Sequence, residues 1–118
     1  MDDGVDERLG SRLTEDVELS IVAGSFTARS GREEELAGVL AKYVVVTRNA
    51  PGCRNVDLAA SIATPGRFLV IEKWDDADAQ TAHLDSDEMV EMAKAASALL
   101  TGPPDLDLYA AISAHDLF

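Results

Sequence analysis

The sequence contains a single cysteine and only 10 lysines and arginines among its 118 residues, and each shortage excludes a class of protein. Cys53 alone cannot close an intrachain disulfide, so the fold has to rest on its core. Against the 10 basic residues stand 22 acidic ones, for a formal charge of −12. A surface with that excess repels phosphate backbones and anionic lipid heads, so no nucleic acid and no membrane is expected as a partner. No apolar run approaches the roughly 18 residues of a membrane span. The opening Met1-Asp2-Asp3-Gly4 lacks the basic and apolar regions of a secretory signal, which makes a cytoplasmic location the expectation. Gly-rich phosphate loops are missing after every candidate strand, and His83 and His115 have no zinc spacing. Asp75, Asp76, Asp78, Asp85, Asp87, Glu88 and Glu91 form a window without one Lys or Arg, yet it lacks the alternation and central glycine of a calcium loop. Acids there sit where two helix N-termini favour negative charge. The expectation is no metal and no cofactor.

What is present is a chain of one-domain length with 47% apolar residues, enough for a single core. Residues 1–16 carry six acids, two arginines and few apolar side chains, which reads as an acidic mobile arm ahead of a domain over 17–118. From Val17, apolar residues fall on both parities (Val17, Leu19, Ile21, Ala23; then Val22, Phe26, Ala28), a strand with two partly buried faces and a bulge at Gly24. Ser30-Gly31-Arg32-Glu33 fits a capping box, and Leu36, Val39, Leu40, Tyr43 and Thr47 follow at helical spacing, predicting a helix over 31–48. Asn49-Ala50-Pro51-Gly52 is a turn. Val56, Leu58, Ala60 and Ile62 make a second strand, and Thr64-Pro65-Gly66 leads into a third over 67–74. Asp75 is the expected cap of a short helix to about Leu84, and Ser86 that of a longer one carrying Met89, Met92, Ala96 and Leu100. Gly102-Pro103-Pro104 stops it, and Leu106, Leu108, Ala110 and Ile112 alternate as a fourth strand.

The order β-α-β-β-α-β with right-handed crossovers predicts an α+β, ferredoxin-like antiparallel sheet with helices on one face. Apolar residues on both strand faces then call for a second cover. A copy of the same sheet is the simplest, which predicts an isologous homodimer whose sheets enclose a cavity.

Three segments carry a family likeness: Ala50-Pro51-Gly52-Cys53, the strand Phe68-Leu69-Val70-Ile71-Glu72-Lys73-Trp74-Asp75, and Ala79-Gln80-Thr81-Ala82-His83-Leu84-Asp85-Ser86. Together, over about 17–115, they resemble the antibiotic biosynthesis monooxygenase family, small cofactor-free oxygenases built as dimeric α+β barrels. The resemblance implies a phenolic, quinol or anthrone-like aromatic substrate that reacts directly with O2. Read physically, Glu72 and Trp74 lie two apart on a strand and so point the same way, bringing a carboxylate beside a flat apolar wall. Oxygenation without a cofactor needs an ionised substrate, hence a base near neutral pKa, and His83 is the one well-placed imidazole. The expected roles are His83 as base or orienting donor, Trp74 as stacking wall, and Glu72 fixing His83 or the substrate hydroxyl. Phe26, Phe68, Val70 and Trp74 are the expected lining. Structural roles compete with each assignment. Trp74 could be plain packing, and His83 a partly exposed helix residue bonded to a carbonyl. Glu72 could be half of an ion pair with Arg54 or Arg67. The chain carries Val70 where quinone-forming members have an asparagine, Val22 and Gly24 where haem-degrading ones need theirs, and Glu88 where many relatives have a second histidine. A non-catalytic aromatic-binding dimer is therefore the alternative function, with haem binding or degradation last.

Overall fold

A computed structural model of the protein describes residues 19–112. The acidic arm expected over 1–16, Val17 and His115 lie outside them. The elements are β1 (Ser20–Thr27), α1 (Glu33–Thr47), β2 (Cys53–Ala60), β3 (Arg67–Trp74), α2 (Ala77–Leu84), α3 (Asp87–Ser97) and β4 (Asp105–Ala110). The strands form one antiparallel sheet in the order β2-β3-β1-β4, the ferredoxin-like topology expected from the sequence.

Burial alternates along β1 and β3, so each strand has one covered face. Phe26, Phe68 and Val70 join Leu36, Leu40 and Val44 of α1 and Met92 and Ala96 of α3 in one core cluster, and Val22 and Trp74 on the same strand faces are buried too. The opposite face carries Leu69 and Ile71, 37% and 38% exposed, so the two buried faces expected of β3 reduce to one within a single chain.

Local chemistry differs from expectation at the element ends. Gly31, at φ +85, turns the chain so that Arg32 rather than Ser30 stands at the start of α1, where no side chain caps the helix. Glu33 still reaches back, accepting from the Gly31 N–H at 3.2 Å, and Glu33, Glu34 and Glu35 place negative charge on the first turn. Asp76, not Asp75, caps α2 by accepting from the Ala79 N–H at 2.8 Å, because Asp75 pairs with Arg54 at 2.7 Å. Ser86 caps α3 as expected. β1 runs in register through Gly24, and the irregularity lies instead on β2 between Cys53 and Asn55. Ile62 and Ile112 both fall beyond their strands and are exposed; at Ile62 the chain has already entered the hairpin turn, closed by the Ser61 N–H to Arg67 O bond.

Gly52, at φ +79, is the tight point of the α1–β2 turn. A Cβ there would sit 2.5 Å from Ala79 Cβ, so only glycine lets α2 close onto the sheet at this level. That closure brings His83 over β3.

Candidate active site

Glu72 and Trp74 project from β3 toward the helices and are 5% and 0% exposed. A carboxylate in such surroundings needs donors. Trp74 Nε1–H donates to Glu72 Oε1 at 2.9 Å, and the Tyr43 hydroxyl donates to Glu72 Oε2 at 2.5 Å. Tyr43 belongs to the apolar stripe of α1 and reaches the sheet because that stripe is the packed face of the helix. Its oxygen also meets His83 Nε2 at 2.9 Å, while His83 Nδ1 meets Ser86 Oγ at 3.2 Å. Ser86 Oγ in turn accepts from the Met89 N–H at 3.2 Å, the cap of α3.

One assignment of protons satisfies every group. With Tyr43 donating to Glu72, its oxygen accepts from His83 Nε2–H, and the bare Nδ1 accepts from the Ser86 hydroxyl. Trp74, Glu72, Tyr43, His83 and Ser86 thus form one chain of hydrogen bonds drawn from β3, α1, α2 and the start of α3. The indole of Trp74 lies against the imidazole with ring centroids 4.7 Å apart and planes at 35°, which locks the ring's orientation.

Burial sets the protonation states. It pushes the His83 imidazole below its ordinary pKa, opposed in part by the charges of Glu72 and Glu88, so His83 is neutral at neutral pH. It pushes the Tyr43 phenol far above the ordinary value, helped by the charge and hydrogen bond of Glu72, so Tyr43 keeps its proton. Burial also raises the Cys53 thiol, which packs against the core as a small apolar group rather than as a nucleophile. Among the described residues no group of three His, Cys, Asp or Glu side chains is placed to hold a metal ion.

The hydrogen-bonded chain borders a cavity of about 640 Å3 between the sheet and the helices. Its floor is Val22, Gly24 and Phe26 of β1 with Leu106 and Leu108 of β4, and its roof comes from Leu84, Met89, Met92 and Ala96. It exists because the helices pack over β2 and β3, leaving the same face of β1 and β4 uncovered by helix backbone. Gly24 keeps it open, since a Cβ there would stand 2.9 Å from Leu106 Cδ2 and 3.0 Å from Phe26 Cε1. Polar side chains converge at one end, where Tyr43, Glu72, Gln80 and His83 reach the lining.

Of the site residues expected from sequence, Phe26, Val70, Glu72 and His83 line this cavity, whereas Phe68 and Trp74 do not. Trp74 is fully buried and acts on the cavity through Glu72 and His83 rather than as its wall. Glu72 reaches His83 only through Tyr43, and it pairs with neither Arg54, which is bound to Asp75, nor Arg67, which lies at the far end of β3. This cavity lies beneath the helices of a single chain. Tyr43 and Gln80 are the residues that sequence reasoning missed. Tyr43 carried a signal, because a hydroxyl on an otherwise apolar helix stripe must find a buried partner.

An antiparallel sheet roofed by helices over an apolar cavity, with a buried histidine-carboxylate chain beside it, defines a ferredoxin-like α+β domain with one candidate site. Residues 20–95 match the antibiotic biosynthesis monooxygenase family, and the chain belongs to that family. Its fold is similar to that of a candidate antibiotic biosynthesis monooxygenase from Nitrosomonas europaea (TM-score 0.79, 13% identity, covering 84% of this chain and 95% of that one). A candidate antibiotic biosynthesis monooxygenase from Deinococcus radiodurans superimposes with TM-score 0.75 at 25% identity, over 84% of this chain and 98% of that one. A Mycobacterium tuberculosis protein does so with TM-score 0.77 at 23% identity, over 83% and 99%. A search of curated protein sequences gives no match.

Proposed function

We propose that the protein is a cofactor-independent monooxygenase that oxidises a phenolic, quinol or anthrone-like aromatic with O2 in the cavity beside His83. The observation that carries this reading is a neutral, buried imidazole at the polar end of an apolar cavity, coupled through Tyr43 to a carboxylate. His83 accepts the proton of the bound substrate at Nδ1, the Ser86 hydroxyl rotating away from that lone pair, and the imidazolium so formed is balanced by Glu72 across the Tyr43 hydroxyl. The substrate anion passes one electron to O2, and the resulting superoxide and substrate radical combine at carbon to form a hydroperoxide. The hydroperoxide takes its proton from His83, and loss of the hydrogen on the same carbon with cleavage of the O–O bond releases water and yields the new carbonyl, so one oxygen atom enters the product and the other leaves as water. The apolar walls favour O2 over water and keep the anion unsolvated. Trp74 and Ser86 are positioning residues that hold the imidazole in plane and tautomer.

The same reading includes a homodimer packed through the face of the sheet that bears Leu69, Ile71 and Tyr109. Oxygen uptake on a panel of quinols and anthrones, with protein free of flavin and metal, tests the activity. The expected result is turnover that His83→Ala reduces by about 10²–10⁴-fold, the usual contribution of a general base. No panel member reacting faster than in buffer, or an unaltered rate in His83→Ala, overturns it. A second reading, binding of the aromatic without turnover, is favoured by the engagement of both ring nitrogens of His83 within the protein. Saturable quenching of Trp74 fluorescence without oxygen uptake would decide for it.

A further inference from the structure

The two ends of the cavity differ in charge. At the inner end stand Glu72 and His83; at the outer end, beside the exposed Ser97, Thr101 and Gly102, stands Arg29. Arg29 is the only lysine or arginine among the described residues that line the cavity, and its guanidinium has no ion pair or hydrogen-bond partner among the described residues. Arg32 pairs with Glu35 and Arg54 with Asp75, whereas Arg29 is exposed at the cavity with no acid beside it among the described residues. The backbone fixes the placement. Ala28 bridges to Leu100 and the Arg29 N–H donates to Leu99 O at 2.7 Å, so the residue is anchored to the segment just after α3, where the cavity lining is exposed.

We propose that Arg29 is a specificity residue that binds a carboxylate carried by the aromatic substrate at the end opposite its reacting hydroxyl. The proposal rests on the functional reading given above for the inner end. Glu72 is opposite Val22, and Arg29 lies seven residues further along β1 and its extension, a rise of about 23 Å at roughly 3.3 Å per residue. Even after the reach of the arginine side chain, the distance calls for an elongated, fused polycyclic ligand rather than a single ring. A cavity of about 640 Å3 has room for one. The planar guanidinium fork matches a carboxylate in two hydrogen bonds, which selects that anion and its orientation together. The reacting hydroxyl is thereby placed at His83.

The test uses the full chain and two probes, a dihydroxyanthraquinone carboxylate and its neutral carboxamide, titrated by quenching of the single tryptophan, Trp74. The expected result is about tenfold tighter binding of the carboxylate, or about 1.4 kcal/mol, with an affinity that weakens as salt rises while that of the carboxamide does not. Arg29→Gln should remove the preference by weakening the carboxylate alone, and Arg29→Lys should restore part of it. Equal affinity of the two probes for the unaltered protein, or an Arg29→Gln variant that keeps the preference or weakens both probes alike, overturns the proposal and leaves the oxygenase reading standing. If neither probe binds, both readings fall.

Discussion

The two faces of β3 are built from neighbouring residues and behave as different materials. On the helix side, Phe68, Val70, Glu72 and Trp74 are buried, and a carboxylate there is tolerated only because Tyr43 and Trp74 both donate to it. On the other side, Leu69 and Ile71 are more than a third exposed and Lys73 stands beside them on the same parity. The first face is saturated with contacts and hydrogen bonds, so a change there is felt by the fold and the site together. The second is apolar without being packed, so a change there should be felt only by whatever covers it.

Truncation at the most buried point should separate the faces most sharply. Trp74→Ala should cost about 3–5 kcal/mol in denaturant unfolding, as for other fully buried aromatics. Trp74→Phe should cost less, since a ring still fills the space, while the lost Nε1–H donor loosens Glu72 and lowers turnover. A small loss for Trp74→Ala would mean that the helix side is not close-packed. Glu72→Gln comes next, at about 1–3 kcal/mol, because one amide cannot accept from both Trp74 and Tyr43. It should also lower the His83 pKa further by removing the charge that opposes desolvation, a shift that histidine NMR titration would record.

The pH dependence of stability follows from the same histidine. The folded-state pKa of His83 is depressed, so between that value and the unfolded value of about 6.5 the unfolded chain binds more protons. Stability should therefore rise with pH through this window and be lost as pH falls across it. The slope should flatten in His83→Gln; an unchanged slope would locate the titration elsewhere. Turnover should fall on the acid side for the same reason.

Gly24→Val probes the cavity floor. It should abolish probe binding by filling space now bounded by Leu106 and Phe26, at about 1–3 kcal/mol of overpacking cost. The smallest effect on the fold is expected on the open face. Leu69→Lys with Ile71→Lys should leave the stability of the protomer within about 0.5 kcal/mol yet convert the proposed dimer to a 12.6 kDa monomer in sedimentation. If the unaltered protein is already a monomer at micromolar concentration, the dimer is withdrawn.

The amino-acid order by itself determined the element sequence and the parity of β3. Period-two and period-3.6 patterns are local, and Ser86 and Gly102-Pro103-Pro104 mark helix ends through chemistry a few residues long. It also places Glu72, Trp74 and His83 near one another in element order, and on that order alone an ion pair with Arg54 or Arg67 accounts for Glu72 equally well. Only the tertiary structure decided between these. It gave Arg54 to Asp75, brought Tyr43 in from 29 residues away to bridge Glu72 and His83, and put Trp74 behind the imidazole rather than in the cavity. It also opened a cavity under the helices. The physical reason is that local periodicity tells which side of an element faces inward. Which donor meets which acceptor there, and where space is left unfilled, depends on the angles at which distant elements pack.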